Sequence, residues 1–114
     1  MSKIRVVLIE DHDLTRVGIR AVLQHSDGFE VIGEAANAKN GLRLLEATKP
    51  DIAIVDIGLP DMDGIKLTQC FKASLTNRSS PETKVLILTI HDKEEVVLAA
   101  FAAGADSYGS MSLV

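Results

Sequence analysis

Three short apolar runs constrain this chain most: Ile4 to Ile9, Ile52 to Ile57 and Val85 to Ile90, each rich in Val and Ile and each leading into polar or acidic residues. They are too short for ordinary helices and too continuously apolar for strands with one wet face. Runs of this kind suit strands buried on both sides, the environment of a parallel sheet layered between helices. A fourth segment, Phe29 to Ala35, is mixed in polarity and follows Ser26-Asp27-Gly28, which predicts an edge strand at the sheet's margin.

Between the strands the apolar period becomes helical. Leu14, Val17, Gly18, Ala21 and Val22 share one helical face after Asp13, a cap candidate. Asn37 is placed to cap a second helix whose Ala38, Gly41, Leu42 and Leu45 lie together, and Lys49-Pro50-Asp51 stops it. Weaker patterns follow at Leu67, Cys70 and Phe71, then at Val97, Ala100 and Phe101, the last preceded by Asp92, Glu94 and Glu95. Ser74 to Thr83 reads as a solvated loop. Alternating strands and helices with right-handed crossovers give an α/β fold, a doubly wound five-stranded parallel sheet in the flavodoxin-like order 2-1-3-4-5.

With 114 residues, 46% apolar and 25% charged, the chain holds one domain and a modest core. Cys70 is the single cysteine, so no disulfide forms within the chain; it reads as core packing, and a reducing cytoplasm is the expected compartment. No apolar run reaches the ~18 residues of a membrane span. A net charge of -4 with 4% aromatics argues against direct nucleic-acid binding, which wants clustered cations and stacking rings.

In such a sheet the reactive groups gather at the carboxyl ends of the strands, where the strand order reverses. Glu10 and Asp11 follow strand one, Asp56 closes strand three, and Thr89 lies near the end of strand four. Three carboxylates held together repel one another unless a cation sits among them, and a hard divalent ion such as Mg²⁺ is the natural choice. Glu10 and Asp11 have a second reading as caps of helix one. Pro60 and Gly64 read as loop-shaping residues, and His12, His25 and His91 as surface or packing residues.

Leu8-Ile9-Glu10-Asp11-His12, the stretch from Asp56 to Gly64, and Gly104-Ala105-Asp106-Ser107-Tyr108 resemble, in order, the signatures of response-regulator receiver domains of the NarL/LuxR type. The resemblance covers essentially residues 1–114. It implies that Asp56 accepts a phosphoryl group from a sensor histidine kinase, that Asp11, Asp56 and the Gly58 carbonyl bind Mg²⁺ or Mn²⁺, and that Glu10 holds a metal-bound water. It also implies that Thr89 meets the phosphoryl group through its hydroxyl, that Tyr108 is the switch aromatic, and that a DNA-binding output domain acts with the receiver to control transcription. Such a domain is a phosphoacceptor in signalling, not an enzyme with a separate substrate.

The pattern departs at Met111, where receivers of this type carry a lysine that pairs with the phosphoryl group. A thioether forms no such pair, which leaves a phosphorylation-independent interaction module as the alternative. Gly109-Ser110-Met111 resembles a fusion junction, so residues 109–114 are expected to be non-native and a fifth helix missing. One sheet face should then be short of cover and available for self-association. Rival chemistries fit less well: Gly58 stands where an aspartyl phosphohydrolase wants a second Asp, Asp61-Met62-Asp63-Gly64 lacks the remaining ligands of a calcium loop, and no Gly-x-Gly-x-x-Gly follows strand one.

Overall fold

A computed structural model describes residues 3–74, 83–89 and 107–110. Its elements are β1 (Ile4–Ile9), α1 (Asp13–His25), β2 (Phe29–Ala35), α2 (Ala38–Thr48), β3 (Ile52–Asp56), α3 (Gly64–Ser74), β4 (Lys84–Thr89) and β5 (Ser107–Ser110). All pairings are parallel and the order is β2-β1-β3-β4-β5, with β2 at one margin as its mixed polarity predicts. The expected fourth helix, residues 75–82 of the loop expected from Ser74 to Thr83, His91 and Met111 lie outside the described residues, and Ser74 itself belongs to α3.

Among the described residues, the sheet's two faces are covered unequally. Val7 and Ile9 of β1, Ala53 and Val55 of β3, and Val85 and Ile87 of β4 alternate onto one face. There they join Ala38 and Leu45 of α2 and Leu67 and Phe71 of α3 in one core. On the opposite face Val6 and Leu8 are buried, but Ile52, Ile54, Leu86 and Leu88 are only half-buried. α1, which packs on β1 and β2, has no buried residue: Leu14 is 89% exposed and Val22 65%. Among the described residues α1 is the helix on that side, and it carries an open apolar stripe.

Local capping explains the helix limits. The Asn37 side chain accepts the Asn40 N–H at 2.8 Å and starts α2 as its sequence predicts. Its end falls at Lys49, which takes the left-handed conformation at φ 44° while its N–H bonds the Leu45 carbonyl. Arg5 reaches across from β1 to the carbonyls of Thr48 and Lys49 at 2.8 and 3.1 Å, so the helix terminus is tied to the sheet. α1 differs from expectation. His12, not Asp13, is its N-cap residue and makes no side-chain cap bond, its Nδ1 lying on Glu10 Oε1 at 2.7 Å, while the Asp13 carboxylate is engaged by Arg16 at 2.6 Å. In α3 the buried positions are Gly64, Leu67, Thr68 and Phe71; Thr68 satisfies its hydroxyl on the Gly64 carbonyl at 2.8 Å, and Cys70 turns half outward instead of into the core.

This asymmetry makes a stability prediction. Leu45→Ala, which empties a fully buried site, should cost about 2–5 kcal/mol in urea denaturation. Leu14→Lys, on the open stripe, should stay within about 0.5 kcal/mol of the parent. A large loss from Leu14→Lys would show that the stripe is covered in the folded chain.

Candidate functional site

Parallel pairing of β1 with β3 builds the site. Ile9 lies opposite Val55, so the residues that follow, Glu10 and Asp56, emerge side by side at the same sheet edge. Thr89 closes β4 one position beyond Leu88, the partner of Asp56, and its backbone therefore stands at that edge too. In β5, Tyr108 pairs with Ile87 and Ser110 with Thr89. The side chains of Thr89 and Tyr108 lie outside the described residues.

The turn from Glu10 to His12 is pinned from three directions. Glu10 donates its N–H to the Ala35 carbonyl of β2 at 3.0 Å, and its own carbonyl accepts Arg16 Nη1 at 2.7 Å. Arg16 also pairs with Asp13 and, through Nε at 3.3 Å, with Glu34, whose other oxygen meets Arg20 at 2.7 Å. Within the turn, Glu10 Oε1 accepts both the His12 N–H at 2.9 Å and His12 Nδ1 at 2.7 Å. Sequence reasoning gave neither Arg16 nor His12 a place here. The i,i+3 spacing of Asp13 and Arg16 was a signal for the first, whereas an isolated histidine offered none for the second.

The loop after Asp56 is fixed by close backbone approach. Gly64 donates to the Ile57 carbonyl at 2.9 Å, and a Cβ on Gly64 would overlap the carbonyl oxygen of Asp56. Asp61 accepts the N–H groups of Ala38 and Lys39 at 2.7 and 3.0 Å, and Asp63 accepts that of Lys66 at 2.7 Å. Both acids are therefore spent on the starts of α2 and α3, where the helix dipole favours them. The bonds from Ala38 and Lys39 hold the Asp61 carboxyl below its ordinary value.

Glu10, Asp11, His12 and Asp56 each offer a ligand atom, all within 4.8 Å of one another. Glu10 is buried and the Asp56 side chain is 12% exposed. Burial, then the charge of Glu10, raises Asp56 to about 6, with a smaller push from Asp11 and an opposing N–H from Gly58. Asp11 Oδ1 is buried without a hydrogen bond; His12 Nδ1 stands 3.1 Å away but outside hydrogen-bonding geometry. An orphaned carboxylate oxygen inside a cluster of like charge fits a small divalent cation well. Hydrogen bonding to Glu10, followed by the charges of Asp11 and Glu10, raises the His12 imidazole above its ordinary value.

The sequence family described as the response regulator receiver domain matches residues 6–109. The transcriptional regulatory protein YhcZ of Bacillus subtilis is 38% identical over 91% of this chain and 46% of its own length. Among solved structures, the receiver domain of the putative response regulator NarL from Mycobacterium tuberculosis superposes with a TM-score of 0.87 at 32% identity, covering 96% of this chain and 85% of that one. A LuxR-family two-component response regulator from Aurantimonas sp. SI85-9A1 gives a TM-score of 0.87 at 34% identity, covering 97% of this chain and 76% of that one. The chain spans about half the length of the curated relatives it matches.

The raised values carry a sign. In the absence of divalent metal, folded Asp56 holds its proton more tightly than the unfolded chain, so stability should fall as pH rises from about 4 through 6. His12, also raised, adds stability below its unfolded value that is lost as pH climbs through the folded one. Asp61 is lowered, so the stability it adds is present above its unfolded value and is lost only as pH falls below it; above about pH 5 it contributes little slope. Thermal melts from pH 5 to 8 in chelator should show the decline and Mg²⁺ should flatten it. Asp56→Asn should stabilise the metal-free chain at pH 7 by on the order of 1–3 kcal/mol. A metal-free profile that rises over this range would contradict the assignment.

Proposed function

Because the chain belongs to the response regulator receiver domain family, with relatives of the NarL/LuxR type, we propose that it takes a phosphoryl group on Asp56 from a sensor histidine kinase and so controls a DNA-binding output domain. Receivers are signalling domains, and the chemistry proposed is a single transfer followed by slow hydrolysis. The observation that carries the reading is the position of Asp56: a desolvated carboxylate at the open edge of the sheet, beside Glu10 and Asp11. Asp61 and Asp63, committed to helix starts, are poor competitors as acceptors.

In the proposed step an Asp56 carboxylate oxygen attacks phosphorus, an O–P bond forms, the N–P bond of the donor phosphohistidine breaks, and the leaving imidazole takes up a proton. Asp11, Asp56 and the Gly58 carbonyl would hold Mg²⁺ or Mn²⁺, with Glu10 orienting a bound water. The cation would supply charge neutralisation on the phosphoryl oxygens, which lets an anionic nucleophile approach them. The backbone of Glu10 is anchored by its bonds to Ala35 and Arg16, which supports this role. Thr89, at the end of β4, would present its hydroxyl to the new group, and Tyr108 on the adjoining β5 would respond to that movement.

Met111, in place of the lysine that the resemblance leads one to expect, favours a second reading: a receiver that binds partners without using phosphate. One experiment separates the two. Incubation with a small-molecule phosphodonor and Mg²⁺, followed by borohydride trapping and peptide mapping, should place the adduct on Asp56 alone. Asp56→Asn should abolish it, and Asp11→Asn should weaken Mg²⁺ binding by at least about tenfold. Intact metal binding without any adduct would establish the phosphate-independent module, and label on Asp61 or Asp63 would overturn the mechanism.

No helix among the described residues is long and apolar enough to cross a membrane. The cytoplasm is the proposed compartment, being where a kinase domain and a DNA-binding output would both be reached.

A further inference from the structure

Both main-chain polar groups of Glu10 are tied to the end of the edge strand β2, by two different routes. The N–H reaches the Ala35 carbonyl directly at 3.0 Å. The carbonyl accepts Arg16 Nη1 at 2.7 Å, and the same guanidinium places Nε 3.3 Å from Glu34 Oε1 and donates through Nη2 to Asp13 at 2.6 Å. Glu34 and Ala35 are consecutive, so one short piece of β2 holds Glu10 at both ends. The Glu10 carbonyl also belongs to the planar peptide that leads to Asp11, and fixing its oxygen limits how the Asp11 Cα can turn. Arg16 has little choice of place. Its side chain is 19% exposed, and Glu34 Oε1, buried without a hydrogen bond, needs the opposite charge that the guanidinium supplies. Arg20 takes the other Glu34 oxygen at 2.7 Å. Arg16 and Arg20 set against Asp13 and Glu34 make a formally neutral group, so what it delivers to the acidic edge is aim and not field.

Resting on the metal site proposed above, we infer that Arg16 is a positioning residue for divalent-cation binding, coupling β2 through Glu34 to the orientation of the turn from Glu10 to Asp11. It touches neither the ion nor the phosphoryl group. A turn held in its binding geometry beforehand spares the ion the cost of ordering it. Without Arg16 the ion must draw the turn into place, so affinity falls while the loaded site stays the same. Arg16, Arg20, Glu34, Ala35 and Ala36 line an open cavity, so water can take the place of a removed guanidinium and the fold survives the loss.

The test is calorimetric measurement of Mg²⁺ binding by the whole chain, for the parent, Arg16→Ala, Arg16→Lys, Glu34→Ala and the double variant Arg16→Ala/Glu34→Ala, with thermal melts to establish that each is folded at the temperature used. Leu45→Val, in the core cluster to which α1 contributes no residue, is the stability control. Arg16→Ala should weaken Mg²⁺ binding about tenfold, as loss of a group that orients a metal ligand commonly does. Arg16→Lys should fall nearly as far, because one ammonium keeps the charge without spanning three acceptors. Glu34→Ala should cost about threefold, and the double variant no more than Arg16→Ala alone, since Glu34 acts through Arg16. At saturating Mg²⁺, labelling of Asp56 by a small-molecule phosphodonor should return to within about twofold of the parent. Leu45→Val should leave Mg²⁺ affinity unchanged. Parent-like affinity in folded Arg16→Ala, full recovery in Arg16→Lys, additive losses in the double variant, or an equal loss in Leu45→Val would each overturn the inference and leave the metal site standing. Should Arg16→Ala not fold, Arg16→Lys and Glu34→Ala carry the test. The affinities decide the matter even for a chain that binds Mg²⁺ and takes no label, whereas absence of Mg²⁺ binding in the parent would overturn the metal site and the inference with it.

Discussion

The repulsion among Glu10, Asp11 and Asp56 is the interaction around which the upper edge of this domain is organised. It follows from the core: β1 and β3 pair because their apolar side chains need burial, and that pairing drives the acids at their ends together whether or not the acids favour it. Burial deepens the conflict by removing the water that would screen it. The surrounding structure contains the conflict without abolishing it. Arg16 grips the Glu10 carbonyl and leaves the carboxylates free, Gly58 offers an N–H to Asp56, and His12 lends a partial counter-charge from the solvent side.

What the sequence disclosed depended on how local the cause was. The strands were legible because a run such as Val6 to Ile9 has no good conformation other than a strand buried on both faces. Asn37 was legible because a cap acts within one turn. The roles of Asp61 and Arg5 were not, since each acts across a large sequence separation on a helix terminus that the fold alone brings near. The contact of His12 with Glu10 was missed for a related reason: it depends on where the turn aims Nδ1, and nothing in residue spacing encodes that. Asp13 misled because a carboxylate before a helix suits either a cap or an ion pair, and Arg16 one turn on decided for the pair.

The open stripe of Leu14, Val17 and Val22 shows the limit of periodicity as evidence for burial. A helical apolar face states that a surface is suited to cover, and it states nothing about what supplies the cover. The same side of the sheet carries the half-buried Ile54, Leu86 and Leu88, so among the described residues the exposure extends from the helix to the strands. The opposite layer, closed by α2 and α3, holds the tightly packed core and sets the position of Asp56.

Gly64 has a further consequence for anyone who would move this chemistry elsewhere. Its backbone lies so close beneath the Asp56 carbonyl that Asp56, the loop and the start of α3 are one piece, and Asp61 extends that piece to the start of α2. Grafting the acidic cluster onto another parallel sheet by copying carboxylates alone would leave Asp56 unsupported. The transplantable unit is the loop from Asp56 to Gly64 together with both helix starts and the Glu10–Arg16 turn, a module whose boundary is drawn by backbone contact and not by the list of reactive groups.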